Sequence, residues 1–513
     1  MIIQTSAGPV EGTATPRSLV FAGIPYAAPP VGPGRFRPPR PAEPWEAPRA
    51  ATAFGPAAAQ PVDHLLGLMF GQPPFPTAED CLTLNVWTPD VRPPENSGGR
   101  PVLVWLHGGA FMTGSSRDPV FDGTRLAERR DLVVVTVNYR LGALGFLHVA
   151  DLLGDEYAGS GNLGLLDQVA ALRWVRDNIA AFGGDPGNVT LAGQSAGGMC
   201  VAALMTMPDA AGLFHKAIVQ SGNGSYVMAP ERATAVARRI LGALDLDEAD
   251  ARRILDVPAE SLMRAQEAVV SAMSAEFPGG GLPFAPVVDG GVLTVSPIAA
   301  FRAGKAARIP LVVGSTLEES RLMLLLGGPP PLDEAAVRGL FAAQYEDADQ
   351  ALRTYRAVEP DPTPGGLAAA LGGERMFRSG AFDIAAAHAA HTPEVWRYLF
   401  RWRSTAAGGE LGACHSMDLA FTFDNLGQPG VEVFTGPRPP QSLADAMSGA
   451  WASFARTSEP GGAWPPFAGD AAGATGASGV TGATEAAAIM IFDTESHVAA
   501  DPLAAVRHLP AKN

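Results

Sequence analysis

Several short apolar runs in the chain lack the alternation of polar and apolar positions that a half-exposed strand has. They occupy residues 102–106, 132–137, 189–192, 217–220 and 310–313. Strands that are covered on both faces have this composition, which is typical of a parallel sheet. The pattern therefore predicts a mostly parallel central sheet flanked by helices.

A helical pattern lies between two of these runs. Leu165, Val169, Leu172 and Ile179 fall on one helical stripe, and the turn-forming residues 183–188 are expected to end that helix. Because strand, helix and strand alternate along the chain, the expected connections are right-handed crossovers of an α/β fold.

The whole chain, residues 1–513, is predicted to form one elaborated domain. Segments of about 230–307 and 332–391 are rich in Ala, Glu and Arg at helical spacing. They predict helical insertions that form a cap and gorge over the sheet. Residues 470–487 are rich in Gly, Ala, Thr and Ser without periodicity, which predicts a flexible surface loop before an apolar strand at 489–492.

Charge and composition exclude some kinds of partner. The 37 Lys and Arg residues against 52 Asp and Glu give a net charge of −15, which argues against nucleic acid. No apolar segment approaches the roughly 20 residues of a membrane-spanning helix. The first residues include no basic side chain before Arg17 and no apolar run of signal-peptide length, so we expect a cytoplasmic protein without membrane contact. Cys81, Cys200 and Cys414 are too scattered for a disulfide framework or a cysteine-based zinc site and are expected to be buried apolar side chains.

The run at 189–192 leads into Gly-Gln-Ser-Ala-Gly-Gly at 193–198, followed by the helix-compatible residues 199–204. A G-x-S-x-G string alone arises by chance about 0.3 times in such a chain. Strand before and helix after it make a nucleophile elbow, a tight turn that presents the serine hydroxyl at the carboxyl edge of the sheet. Ser195 is therefore the candidate nucleophile.

A loop of small residues follows the run at 102–106. Its sequence is His-Gly-Gly-Ala-Phe, from His107 to Phe111, and its backbone N–H groups are unobstructed. Preorganised donors stabilise the oxygen anion that forms when serine attacks an ester carbonyl. We expect these donors to be Gly109, Ala110 and Ala196, and we expect His107 to anchor the loop by hydrogen bonding.

The base must be a histidine, because its ordinary pKa near 6.5 lets it accept and return the serine proton. In this fold the acid and then the histidine follow the serine along the chain. That order leaves His388, His391, His415, His497 and His508. The first two lie in an Ala-rich helical stretch, whereas His415 lies in a small-residue loop at 412–418, after the strand-like 396–402. Position and context favour His415.

Two carboxylates compete for the acid role. The run at 310–313 continues into a loop that contains Glu318 and Glu319 side by side, at the carboxyl end of a predicted strand. Their sequence context does not distinguish the two residues.

With these motifs in place, the chain resembles the type B carboxylesterases, the family of bacterial para-nitrobenzyl esterases, animal carboxylesterases and cholinesterases. The resemblance spans nearly the whole chain and rests on residues 21–27, 29–30, 35–36, 79–87, 138–142, 161–168, 193–198, 220–222 and 451–456. It implies an α/β-hydrolase fold with Glu319 as the acid, His415 as the base and Gly109, Ala110 and Ala196 as the oxyanion hole. It further implies that Ser221 hydrogen-bonds within the triad network.

Departures from the family pattern narrow the predicted compartment and substrate specificity. No cysteine precedes Cys81, so the disulfide that secreted animal members form there is impossible, which favours a reducing compartment. Residues 68–72 lack the tryptophan that cholinesterases use to hold a quaternary ammonium, so choline-ester specificity is not supported. Ser320 stands where the family often has glycine.

The predicted function is hydrolysis of neutral, apolar carboxylic esters of short to medium acyl chain, through an acyl-enzyme on Ser195. Para-nitrophenyl and para-nitrobenzyl esters are the expected surrogates, no metal or cofactor is predicted, and the chain is expected to be a monomer or homodimer. Two alternatives are an interfacial lipase, with residues 62–75 as a flap, and a non-catalytic cholinesterase-like binding protein.

Overall fold

A computed structural model describes residues 1–61, 75–95, 97–276, 282–327, 332–468 and 488–512. The predicted loop at 470–487 and nearly all of the predicted flap at 62–75 lie outside these residues. Within the described ranges, no helix is both long enough and apolar enough to cross a membrane.

The described strands form one large sheet and two small ones. Their bounds are β1 (Ile2–Gln4), β2 (Pro9–Glu11), β3 (Thr13–Ala14), β4 (Leu19–Pro25), β5 (Arg49–Ala50), β6 (Ala57–Ala58), β7 (Thr77–Ala78), β8 (Thr83–Thr88), β9 (Arg100–Leu106), β10 (Val133–Val137), β11 (Gly184–Gln194), β12 (Lys216–Gln220), β13 (Leu311–Thr316), β14 (Val395–Phe400), β15 (Ala488–Phe492) and β16 (His497–Ala500).

The large sheet joins eleven of the described strands in the order β16-β15-β14-β13-β12-β11-β9-β10-β8-β4-β3. The strands from β15 through β10 are parallel to their neighbours, and antiparallel strands complete both edges. The mostly parallel sheet predicted from the apolar runs is confirmed.

The position of β9 creates a crevice. The next strand in the chain, β10, pairs with one edge of β9. The strand after it, β11, pairs with the opposite edge of β9. The connections leaving the carboxyl ends of β9 and β11 therefore diverge, and ligands of open α/β sheets bind at such a switch point. The loop that begins at His107 and the turn at Ser195 both lie at this edge.

Helices flank the sheet and fill the two insertions. The α-helices are Thr124–Arg130, Gly142–Phe146, Ala150–Leu153, Leu163–Asn178, Ala196–Leu204, Pro230–Ala243, Ala259–Glu276, Pro297–Arg302, Arg321–Gly327, Glu334–Gln344, Ala348–Val358, Pro364–Gly373, Ser379–Ala389, Leu419–Thr422, Val431–Thr435, Gln441–Thr457 and Ala504–Arg507. A π-helix, Glu374–Arg378, joins two of them.

Alternate side chains of β9 enter two different cores. Val102 and Val104 pack in the cluster that includes residues of the helix Leu163–Asn178. Leu103 and Trp105 pack in the cluster that includes residues of the helix Gln441–Thr457. Both faces of the strand are covered, which is the physical reason why its sequence is apolar without alternation.

The structure corrects two predicted boundaries. The turn predicted at 183–188 is shorter, because β11 already begins at Gly184, pairs there with Arg100, and is irregular until Val189. The strand-like segment 396–402 ends as a strand at Phe400. In both places the sheet register, set by a neighbouring strand, decides where the hydrogen bonding begins or ends.

Candidate active site

Ser195 occupies a strained turn between β11 and the helix Ala196–Leu204. Its backbone has φ 57° and ψ −127°, a conformation that non-glycine residues rarely adopt. Its N–H donates a 2.9 Å hydrogen bond to the carbonyl of Gln220 at the end of β12, and its carbonyl accepts from Met199 in the first turn of the helix. The turn is therefore held on both sides, and the side chain is partly exposed.

Small residues let the elbow pack directly on the loop after β9. A Cβ at Gly197 would overlap the carbonyl oxygen of Leu106 and lie 2.7 Å from that of His107. A Cβ at Gly108 would lie 3.0 Å from the Cβ of Ser195. Backbone therefore packs on backbone here, and the loop lies against the candidate nucleophile.

The predicted oxyanion donors have free N–H groups. Gly109, Ala110 and Phe111 have successive positive φ angles of 117°, 55° and 61°, and a Cβ at Gly109 would overlap the carbonyl of Thr113. The backbone N–H groups of Gly109, Ala110 and Ala196 donate to no acceptor within the part of the chain that the structure describes. Unpaired N–H groups at a loop and a helix start attract negative charge.

The donor loop is fixed by side chains around it. The side-chain amide of Gln60 bonds the backbone of Gly114 in both directions, at 2.8 and 2.9 Å. The hydroxyl of Tyr139 donates a 2.6 Å bond to the carbonyl of His107. Fixed donors need little reorganisation when charge develops, which is what transition-state stabilisation requires.

His107 is buried and stacks on Tyr139 with ring centroids 4.5 Å apart. Its Nδ1 lies 2.8 Å from the carbonyl of Gly108. Burial lowers the pKa of His107 to about 4, so the ring is neutral near pH 7. These contacts match the expected anchoring of the loop, and Nε2 of His107 has no hydrogen-bond partner among the described residues.

His415 and Glu319 lie together at the carboxyl edge of the sheet. Nδ1 of His415 is 2.5 Å from Oε2 of Glu319, and the backbone N–H of His415 donates to the carbonyl of Glu319 at 3.1 Å. The other carboxylate oxygen accepts bonds from Ser221 Oγ at 2.6 Å and from the N–H of Thr316 at 2.8 Å. Glu319 is fully buried, so these three donors are what stabilises its charge.

Glu318 turns to a different task. Its carboxylate accepts bonds from Arg321 at 2.9 Å, from Arg403 at 3.0 Å and from the backbone N–H of Ala413 at 2.8 Å. The two adjacent acids therefore have different partners, and of the two only Glu319 contacts the imidazole of His415.

Two contacts of His415 were not anticipated from the sequence. Phe377, in the π-helix Glu374–Arg378, stacks on the His415 ring with centroids 4.3 Å apart and planes 27° apart. The side-chain Nε2 of Gln194 lies 3.1 Å from Nε2 of His415. Within the described residues, Ser195 Oγ forms no hydrogen bond, and the contact between the elbow and His415 is made by the preceding residue, Gln194.

A buried network supports the elbow from below. The backbone carbonyl of Gln220 accepts the hydrogen bond from Ser195. The side-chain amide of Gln220 donates to Asp418 at 2.9 Å and to Thr422 at 3.1 Å, and its amide oxygen accepts from Trp451 at 2.9 Å. Burial raises the pKa of Asp418 to about 6. The backbone at Ser195 is therefore tied to the core on the far face of the sheet.

The other candidate histidines lie elsewhere. His388 and His391 are close to backbone carbonyl groups of the segment before β13, at 2.9 and 3.2 Å. His497 is on the edge strand β16, and His508 follows the last helix. Among the described residues, the structure contains no group of three or more His, Cys, Asp and Glu side chains able to hold a metal ion.

The sheet order and the tight strand–turn–helix at Ser195, with the donor loop packed beside it, define an α/β-hydrolase. Within that class, the model of the carboxylesterase family matches residues 1–477. The chain belongs to the carboxylesterase family and is a carboxylic ester hydrolase, as its sequence motifs predicted.

Curated relatives and solved structures agree with this assignment. The chain is 39% identical over 464 residues to a para-nitrobenzyl esterase of Bacillus subtilis (strain 168), covering 90% of each chain. It is 37% identical over 483 residues to a phenmedipham hydrolase of Pseudarthrobacter oxydans, covering 91% of this chain and 93% of that one. A crystal structure of a Geobacillus stearothermophilus carboxylesterase matches with a TM-score of 0.83, at 39% identity over 99% of both chains.

Proposed function

We propose that the enzyme hydrolyses small, neutral carboxylic esters of short to medium acyl chain by acyl transfer through Ser195. In this proposal His415 is the general base, Glu319 orients it, and the N–H groups of Gly109, Ala110 and Ala196 form the oxyanion hole. The observation that carries the proposal is the 2.5 Å contact between Glu319 Oε2 and His415 Nδ1, at the same sheet edge as the strained turn of Ser195.

The first half of the reaction would transfer the acyl group. Ser195 Oγ attacks the ester carbonyl carbon while its proton passes to Nε2 of His415. The carbonyl oxygen gains negative charge and accepts hydrogen bonds from the free N–H groups of the donor loop and elbow. His415 then returns the proton to the departing alkoxide, the alcohol leaves, and an acyl-enzyme remains on Ser195.

The second half would repeat the same proton transfers with water. Water attacks the acyl carbon, gives a proton to His415, and the carboxylic acid leaves as Ser195 recovers its proton. Glu319 remains ionised throughout and stabilises the imidazolium, with Ser221 and Thr316 holding its other oxygen.

The proposed preference for neutral, apolar esters is supported by the residues beside the reaction centre. Gly109, Ala110 and Ala196 are small, Phe377 covers one face of the base, and the Glu318 and Glu319 carboxylates are already paired. The para-nitrobenzyl esterase relative points to the same kind of ester. Para-nitrophenyl esters from acetate to laurate, compared by kcat/KM, would test it: we expect the highest value at a medium chain length or shorter, and a maximum at laurate would contradict it.

The experiment that tests the catalytic roles compares wild type, Ser195→Ala and a matched control, Ser225→Ala, at an exposed serine. With para-nitrophenyl butyrate we expect Ser195→Ala to lose about 10⁶-fold in kcat and Ser225→Ala to retain wild-type rates. A slowly deacylating ester should add its acyl mass to the peptide that contains Ser195. Full activity of Ser195→Ala, or label on another peptide, would refute the proposal.

We also propose a reducing, cytoplasmic location. Cys81, Cys200 and Cys414 are all buried and free, which suits a compartment where thiols stay reduced. Fractionation of the native cells, with the enzyme detected by antibody in each fraction, tests this location. Enzyme found in the periplasm or the medium would contradict it.

A further inference from the structure

Gln194 is the last residue of β11 and immediately precedes the proposed nucleophile. Only 1% of its surface is exposed, so its side chain lies inside the site wall. Its amide nitrogen is 3.1 Å from Nε2 of His415. A Cβ at Gly108 would lie 3.0 Å from its amide oxygen. The Gln194 amide therefore extends from the donor loop to the imidazole.

The direction of this hydrogen bond follows from the other side of the ring. Nδ1 of His415 is 2.5 Å from an oxygen of Glu319. A carboxylate only accepts, so Nδ1 carries the hydrogen and Nε2 of the neutral ring presents a lone pair. The amide N–H of Gln194 must donate to that lone pair. The same lone pair has to receive the proton of Ser195 during acylation.

We propose that Gln194 is a positioning residue that holds neutral His415 in its Nδ1-protonated form and gives up Nε2 to the Ser195 hydroxyl when substrate is attacked. This inference rests on the proposed roles of Ser195 and His415. It also explains why the Ser195 hydroxyl has no hydrogen-bond partner among the described residues: its acceptor is already engaged by Gln194.

The protonation states of the two nitrogens make the inference testable through pH. Two acids act on the His415 ring from other segments: Glu319 at Nδ1, and Asp418, whose pKa burial raises to about 6. Both acids are unchanged in the Gln194 variants, so a difference in midpoint between variants reports on Gln194. A donor that faces Nε2 favours the neutral ring, because a protonated Nε2 would place two donors opposite each other. An acceptor at the same place favours the imidazolium. Replacing the donor should therefore make the base easier to protonate and move the acidic midpoint of kcat/KM to higher pH.

The experiment measures kcat/KM against pH for wild type, Gln194→Met and Gln194→Glu, with para-nitrophenyl butyrate. We expect the acidic midpoint to rise by about half a pH unit in Gln194→Met, which loses the donor, and by about one unit in Gln194→Glu, which places an acceptor there. Gln350→Glu, at an exposed helix position, is the control for adding one negative charge and should leave the midpoint unchanged.

A merely structural role would lower kcat in both variants and leave all midpoints equal, which would overturn the inference. Because Gln194→Met alone is expected to shift the midpoint, failure of Gln194→Glu to fold leaves the test decisive. Ser195→Ala is assayed alongside. If it is active, the proposed function fails; if it is inactive and the midpoints do not move, only the role of Gln194 fails.

Discussion

The carboxylate of Glu318 accepts a 2.8 Å hydrogen bond from the backbone N–H of Ala413, two residues before His415. The next residue along the chain, Glu319, contacts the His415 ring itself. One pair of adjacent acids thus holds both the loop and the ring of the proposed base. Arg321 and Arg403 neutralise the first acid, whereas Ser221 and Thr316 bond the second.

If Glu318 positions the loop, its replacement should lower turnover more than substrate affinity. We expect Glu318→Ala to reduce kcat about tenfold with KM within threefold, because the buried N–H of Ala413 loses its acceptor and the loop loosens. Glu318→Gln keeps an acceptor oxygen and should lie between wild type and Glu318→Ala. An equal loss of kcat in the two variants would instead assign the effect to the lost ion pairs with Arg321 and Arg403.

Glu319→Gln should be far more harmful. Its amide oxygen will stay with the donors Ser221 and Thr316, so its NH₂ group will face Nδ1 of His415. The ring must then carry its hydrogen on Nε2, where it cannot accept the serine proton. We expect kcat to fall about 10³- to 10⁴-fold with an intact fold, measured by steady-state kinetics and circular dichroism. A loss as small as that of Glu318→Gln would contradict the proposed division of roles.

Ser221→Ala tests the support of the acid without changing it. The variant removes the 2.6 Å bond to Glu319 Oε1 and leaves the N–H of Thr316 in place. We expect about a tenfold lower kcat and unchanged KM. Ser221 has a positive φ of 49°, which β-branched residues rarely adopt, so Ser221→Cys is the rescue variant in place of threonine. Alanine cannot donate, whereas the cysteine S–H is a weak donor and should recover part of the rate. Identical rates in the two variants would argue against the hydrogen bond as the cause.

The packing of the elbow on the donor loop predicts opposite effects for two glycine-to-alanine changes. Gly197→Ala places a methyl group against backbone carbonyls of Leu106 and His107 and should cost about 3 kcal/mol or more of stability. Gly339→Ala, in the exposed part of the helix Glu334–Gln344, meets no atom within 4 Å and should gain about 0.5–1 kcal/mol. Thermal unfolding of both variants checks the contrast, which a stable Gly197→Ala protein would contradict.

Asp118, close after the donor loop, is expected to make the stability of the folded protein depend on pH. Burial raises its pKa to about 7, and Oδ2 has no hydrogen-bond partner among the described residues. Its pKa in the unfolded chain is about 3.9. The folded state therefore retains a proton that the unfolded chain releases, and its stability falls as pH rises from about 4 to about 7 and then levels off.

Asp118→Asn removes this penalty. We expect its Tm to exceed that of wild type by about 4 °C at pH 8 and by about 1 °C at pH 5. Asp209→Asn, at an exposed position, serves as the control and should change little at either pH. Equal shifts of Asp118→Asn at both pH values would show that the carboxyl charge is not the cause.

The strands that carry the site were predictable because each must be apolar on both faces. The runs at 102–106 and 217–220 became β9 and β12, and the glycine pattern around Ser195 marked the elbow because no Cβ fits at Gly197. These features depend on local sequence and on burial, and the pattern of apolar residues in one sequence indicates both. The roles assigned to Ser195 and His415 stay predictions that the proposed experiments test.

Other features depend on how distant segments meet. The strand end at β13 brings both acids to the sheet edge, but only the folded loop around Ala413 decides that Glu318 turns to it and Glu319 to His415. Phe377 reaches His415 from a π-helix, and a widened helical turn has no clear signature in the residues. The contact from Gln194 depends on the loops that carry Gly108 and His415 meeting beside the elbow.

The sheet order has a consequence for how activity would appear during refolding. The proposed catalytic residues follow β9, β11, β13 and β14, whose pairings join segments from residue 100 to residue 400. Contacts so far apart in sequence form late and slowly. Ester hydrolysis would therefore return only after these strands have assembled, later than the helical circular dichroism signal.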